Sequence, residues 1–251
     1  MQPQQKLYTL AGRKIFVAIP AYDHKISLKS AISLARLAQK VGEHGIEIAI
    51  GSICGCSVVS KARNLLVEEF LNTDCTDLLF IDSDINFEPD DVLRLLAWAT
   101  NYGIVAGVPR TRKPNGNYII TLDHGDDNLL DLDEMGVVKA KRVATAFMMV
   151  QRQVFTTLRD AHPEWRYRDD NTGNDIYAFF DFLVTPQGYV GEDYLFCDRA
   201  REAGFEVRVD PTIKLGHMGV MEYHGDFGKD AIYTDKKEVQ AAFPPAMRDV
   251  A

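Results

Sequence analysis

No run in this chain approaches the roughly 18 consecutive apolar residues of a membrane helix. The N-terminus, Met1-Gln-Pro-Gln-Gln-Lys6, also lacks the basic segment and apolar core of a secretory leader, so a cytoplasmic protein is expected. Internal repeats and low-complexity tracts are missing, which argues against a solenoid and against disorder away from the ends. Cysteine is scarce. Cys54, Cys56, Cys75 and Cys197 have the spacing of neither a disulfide framework nor a zinc site, so reduced thiols are expected. Basic charge is not in excess either: 28 Lys and Arg face 36 Asp and Glu, and a net charge of -8 excludes a chain whose main task is coating nucleic acid. Three small basic clusters remain, Arg110-Thr-Arg-Lys113, Lys139-Ala-Lys-Arg142 and Arg166-Tyr-Arg168. They are expected to be solvated surface, the alternative being a groove for an anionic acceptor.

What is present is an ordinary globular composition, 46% hydrophobic over 251 residues, enough for one large α/β domain. Its first half alternates. Lys14 to Pro20 reads as a first central strand, Leu28 to Ala38 as a helix burying Leu28, Ala31, Ile32, Ala35 and Ala38, and Ile46 to Ile50 as a second strand ending at Gly51. A helix from about Ser57 to Leu71, a strand from Asp77, a helix started by Pro89 with Asp90 and Asp91 beside it, and a strand from Ile104 to Val108 complete the pattern of a mainly parallel sheet.

The second half is less regular. Asp123 to Glu134 holds six acidic residues in twelve and reads as an exposed loop or hairpin. Arg142 to Val150 reads as one strand, Arg152 to Arg159 as a helix, Glu192 to Ala203 as an amphipathic helix closed by Gly204, and Glu206 to Val209 as a strand. Trp165, Tyr167, Tyr177, Phe179, Phe180 and Phe182 form an aromatic stretch that serves as core or as a wall for a sugar or base. The tail beyond Gly219 is rich in Gly, Tyr and charge, which suits a mobile cover.

The chemistry concentrates at Asp77-Leu-Leu-Phe-Ile-Asp-Ser-Asp84. A short, wholly apolar run is a buried strand, and the residues at its end sit where parallel strands deliver ligand contacts. Two carboxylates there, Asp82 and Asp84, suit Mg²⁺ or Mn²⁺, hard cations that carry phosphates with them. A solvated strand end is the plain alternative. Gly191-Glu-Asp193 opens a helix, which aims carboxylates out of the sheet, and His217 stands between glycines in Leu215-Gly-His-Met-Gly219.

Phe179-Phe-Asp181, Gly191-Glu-Asp-Tyr-Leu-Phe-Cys-Asp-Arg199 and Gly216-His-Met-Gly219, together with the strand-ending Asp82-Ser-Asp84, resemble the GT-A fold nucleotide-sugar glycosyltransferases, family 2-like members of bacterial or viral type. The resemblance runs from Lys14 to about Gly225. It implies an α/β, Rossmann-like GT-A domain: a mainly parallel central sheet flanked by helices, with a smaller antiparallel portion on the acceptor side. Residues 14–108 would form the nucleotide-binding half, 109–219 the acceptor and catalytic half, and 220–251 the cover. The implied activity is metal-dependent transfer of a sugar from a UDP- or GDP-linked donor to an acceptor hydroxyl. By the same resemblance Pro20, Ala21, Tyr22, Asp23, Arg63, Asn64, Asp82 and Ser83 hold the nucleotide, and Asp82, Asp84 and His217 hold Mn²⁺ or Mg²⁺. Asp193 is the implied base and Glu192 its helper, with inversion as the natural outcome and retention left open. A saccharide or lipid-linked saccharide is the implied acceptor, with modified nucleic acid second. The processive Gln-x-x-Arg-Trp motif is absent, so repeated addition is not implied. Two other classes fit the acidic pair: a phosphatase of the HAD type with Asp82 as nucleophile, and a non-catalytic nucleotide-sugar binder.

Overall fold

The computed structural model describes residues 10–113, 116–124 and 130–232. Strand β1 (Lys14–Ala21), helix α1 (Leu28–Glu43), β2 (Glu47–Cys54), α2 (Val59–Leu71) and β3 (Asp77–Ile81) form two successive strand and helix units and a third strand. A short β4 (Ile85–Asn86), α3 (Pro89–Tyr102) and β5 (Gly103–Ala106) follow. Next come β6 (Ile120–Leu122), β7 (Val138–Val143), β8 (Phe147–Gln151) and α4 (Arg152–Ala161). Two small hairpins, β9 (Arg166–Arg168) with β10 (Asp175–Tyr177) and β11 (Leu183–Thr185) with β12 (Gly188–Val190), precede α5 (Glu192–Glu202). The described chain ends with β13 (Glu206–Val209), β14 (Gly216–Met218), β15 (Glu222–His224) and a helical turn over Gly228–Ile232.

Eight strands make the central sheet in the order β2-β1-β3-β8-β5-β13-β7-β6. Its sense is mainly parallel: β2, β1, β3, β5, β13 and β6 run one way, and β8 and β7 run the other. A separate three-stranded antiparallel sheet, β15-β14-β4, stands beside it. Helices flank the large sheet, which is therefore buried on both faces, and this is why Leu78 to Ile81 of β3 is an unbroken apolar run. Side chains alternate between two cores: Phe16, Leu78 and Phe80 join Phe70, Phe155 and Phe196, whereas Ile15, Val17, Leu79 and Ile81 join Leu37 and Trp98. The α/β architecture expected from the sequence is the one observed.

Several local expectations change. Helix α1 buries Ser30, Ser33, Leu37 and Val41, while Leu28 and Ile32 are exposed. The apolar spacing misled because two serines do polar work on the inner face. The Ser27 side chain accepts from the Ser30 backbone as the helix N-cap, and Ser33 Oγ donates to the Phe87 carbonyl at 2.7 Å. Strand β2 runs through Gly51 to Cys54, because this glycine admits the Phe16 ring against the backbone rather than making a turn. The single strand expected over 142–150 is two strands joined at 144–146, a turn whose small buried residues keep the run apolar across the break. The four cysteines are free thiols.

Most basic clusters are paired surface: Lys139 with Asp131 and Glu206, Arg142 with Asp198, Arg166 with Asp175. Asp123 to Glu134 contributes isolated antiparallel bridges, His124 to Leu130 and Leu132 to Val138; residues 125–129 lie outside the described set. The cover expected over 220–251 is described only to residue 232; within that part Tyr223 and Phe227 are buried, whereas Val220 and Met221 are exposed. Among the described residues no helix is long and apolar enough to cross a membrane.

Candidate active site

A cleft of about 680 Å³ opens at the C-terminal ends of β1, β2 and β3, the edge where parallel strands present ligand-binding loops. Pro20, Ala21, Tyr22 and Asp23 line it from the first loop, Arg63 from α2, and Asp82, Ser83 and Asp84 from the third strand end. Tyr22 is 66% exposed and presents a free ring to the opening. The loop after β1 is tied to the acidic turn, because the Ser27 amide donates to the Ser83 carbonyl at 2.9 Å.

Backbone contacts fix the acidic turn from three directions. The Asp82 amide donates to the Ala146 carbonyl at 3.0 Å, the Ile85 amide returns to the Asp82 carbonyl at 3.0 Å, and the Met218 amide donates to the Asp84 carbonyl at 2.8 Å. The third contact brings β14 to the carboxylates, and with it His217. His217 Nδ1 lies 2.8 Å from the Arg110 carbonyl, which can only accept, so Nδ1 carries the proton and Nε2 is left facing Asp84 Oδ2 at 3.4 Å. Burial opposes charge on this ring, yet the contacts with Asp84 and the Arg110 carbonyl outweigh it and raise its pKa above the ordinary histidine value.

The two carboxylates have different partners. Asp82 Oδ1 accepts from Arg63 at 3.3 Å, and Arg63 Nε reaches Glu192 Oε1 at the same distance. Arg63 is buried and stacks over Phe80, so it is a fixed link between the acidic turn and the start of α5. Asp84 Oδ2 instead accepts from Arg112 Nη1 at 2.8 Å. The three expected metal ligands are therefore not gathered: Asp84 and His217 meet, while Asp82 turns to Arg63. Among the described residues no group of three or more His, Cys, Asp or Glu side chains forms a metal cluster.

Gly191 caps α5 and places Glu192 and Asp193 in its first turn, where the exposed amides favour negative charge. Asp193 Oδ1 accepts from the Tyr194 amide at 2.8 Å. Burial, with Glu192 adding repulsion, pushes the Asp193 carboxyl up to about 6. A carboxylate poised there is a competent general base near neutral pH.

Asn64 has a different place from the one its motif implied. It is buried and does not line the cleft; its Nδ2 donates to the Phe180 carbonyl and its Oδ1 accepts from the Phe180 amide, both at 2.9 Å. It pins the Phe179-Phe180 segment, whose rings enter the core through Phe155 and Phe196. Phe182 instead stacks on Tyr189 of the outer hairpin, so the aromatic stretch divides between core and surface. Asn64→Ala is expected to cost about 2 to 4 kcal/mol in chemical denaturation, because two buried backbone groups lose their partners. Arg112 was missed as a site residue: it stands in a basic cluster that reads as surface, and only the approach of residues 109–112 to β14 brings it to Asp84.

The acidic turn ending a buried strand, the reversed β8 beside it and the small sheet that returns a histidine to the second carboxylate make one arrangement. The fold is a mainly parallel α/β sheet flanked by helices, with small antiparallel sheets beside it. No protein-family model and no curated protein matches the chain. Solved structures similar to it include A197 from STIV, at 17% identity and a TM-score of 0.49, covering 82% of this chain and 86% of that one. GalNAc-T7, determined with UDP, GalNAc and Mn²⁺, is similar at 11% identity and a TM-score of 0.48 over 82% of this chain and 44% of its own. Residues 1–349 of S. aureus TarS are similar at 13% identity and 0.45 over 78% and 58%.

Proposed function

We propose that this chain is a metal-dependent glycosyltransferase that moves a sugar from a nucleoside diphosphate sugar to an acceptor hydroxyl with inversion. The carrying observation is the cleft at the strand ends, lined by Asp84, with His217 brought against that carboxylate. A nucleoside diphosphate needs a groove of this size, an aromatic or polar loop for the base and cationic partners for the phosphates; the cleft offers Tyr22 and Asp23, then Arg63, Lys25 and Arg112.

The residues present fit a divalent cation bound partly by substrate. His217 is oriented by the Arg110 backbone carbonyl, as ligating histidines commonly are by such groups, and its Nε2 faces the Asp84 carboxylate. Mg²⁺ and Mn²⁺ take one or two protein carboxylates and complete their shell from phosphates and water, so two protein donors suffice. A cation so held would supply Lewis-acid stabilisation of the charge on the departing diphosphate.

This chain's own residues do the rest. Arg63 holds Asp82 and Glu192 in a fixed relation, so the donor side and the start of α5 move as one. Asp193 takes the acceptor proton as the hydroxyl oxygen bonds to the anomeric carbon and the carbon–oxygen bond to the diphosphate breaks. Attack opposite the leaving group gives inversion. A saccharide or lipid-linked saccharide is the acceptor class this reading favours. Incubation with UDP- and GDP-linked sugars and Mn²⁺ is expected to release the nucleoside diphosphate, and to do so faster with a suitable saccharide acceptor. Tight nucleotide binding with no release from any donor and acceptor pair would leave a binding protein instead.

A further inference from the structure

The basic residue on Asp84 differs from the one on Asp82 in a way that suggests a moving part. Arg63 is held by Asp82, Glu192 and the Phe80 ring and is buried. Among the described residues Arg112 has one polar side-chain partner, Asp84, and its side chain is 56% exposed. Its stem lies against the bare backbone of Gly219, where an added Cβ would come within 3.3 Å of Arg112 Cδ. The backbone two residues before it is fixed. The Arg110 carbonyl accepts from His217, and the Arg110 side chain reaches Asp230 at 3.0 Å and lies over Tyr118. A long cationic side chain thus projects from an anchored stretch onto a carboxylate that also faces the His217 Nε2.

Resting on the function proposed above, we infer that Arg112 is an internal stand-in for the divalent cation, and that metal binding transfers its guanidinium from Asp84 to the donor diphosphate. Arg112 and a cation claim the same oxygen, Asp84 Oδ2, and a divalent ion at ordinary ligand distance from it would strongly repel a guanidinium still hydrogen-bonded there. The open side of Arg112 is the cleft that it lines with Arg63 and Lys25. A guanidinium released into that space meets phosphate oxygens, which its fork binds bidentately. Metal and nucleotide binding are coupled through one side chain: the arginine weakens metal binding alone and strengthens nucleotide binding once metal is present.

Arg112→Ala separates these effects because they have opposite signs. Mn²⁺ alone, titrated by electron paramagnetic resonance without nucleotide, is expected to bind the variant about fivefold to tenfold more tightly than the native chain, the scale of an exposed charge pair plus repulsion. UDP and GDP, titrated at saturating Mn²⁺, are expected to bind it about tenfold more weakly. Mn²⁺ affinity equal to or below native in the variant overturns the inference. If native chain then still binds nucleotide with Mn²⁺, the glycosyltransferase reading survives that result. If neither chain binds either nucleotide under any condition, the functional reading falls with it.

Discussion

Asp84→Ala is expected to abolish Mn²⁺-dependent nucleotide binding, with an affinity loss of at least about a hundredfold, while the chain stays folded. The side chain is removable because the turn that carries it is held by backbone contacts, from Asp84's own carbonyl to Met218 and from the Asp82 amide to Ala146. In the proposed site its carboxylate is one of two protein donors, the anionic one facing His217, and losing a direct ligand exceeds the tenfold to hundredfold typical of losing a group that merely orients one. His217→Ala should give the same sign and a smaller effect, since a carboxylate contributes charge and an imidazole does not. Calorimetry with and without chelator reads both. Native-like nucleotide affinity in either variant removes that residue from the metal site.

Asp193→Asn should retain nucleotide binding and lose transfer by about a hundredfold to ten-thousandfold, the usual contribution of a positioned base. The native chain should show the matching pH dependence. With the carboxyl raised to about 6, kcat climbs about tenfold per pH unit below 6 and levels above it, because only the carboxylate accepts a proton. The same shift has a cost in stability. A carboxyl whose native pKa exceeds its unfolded value binds more protons folded than unfolded, so stability falls as pH rises from about 4 through about 6 and stays lower beyond. The variant should therefore be more stable than the native chain at pH 8, by up to about 3 kcal/mol, and no more stable at pH 4. An unchanged transfer rate would take Asp193 out of the base role.

Much of this was legible in the chain. The strand ending in Asp82 and Asp84 announces itself because Leu78 to Ile81, buried on both faces, is wholly apolar before the acidic turn, and the alternating units before it fix its place in the sheet. The Gly191 cap fixes the start of α5 for a local reason, so Glu192 and Asp193 fall on its first turn. What failed was non-local. Asn64 sits in a segment that reads as nucleotide-binding, yet its amide is consumed by Phe180, 116 residues away. Arg112 reads as solvated charge because nothing local shows that its backbone meets β14. The inner face of α1 was misplaced because serines that bond the neighbouring backbone carry no apolar signal.

Calorimetric titration of UDP and GDP, each with Mn²⁺ and with chelator, tests the central claim most directly. One of the two nucleotides binding with Mn²⁺ and not with chelator is the predicted result and identifies the donor class. Equal binding in both conditions, or none in either, contradicts a cleft built around a metal-held diphosphate.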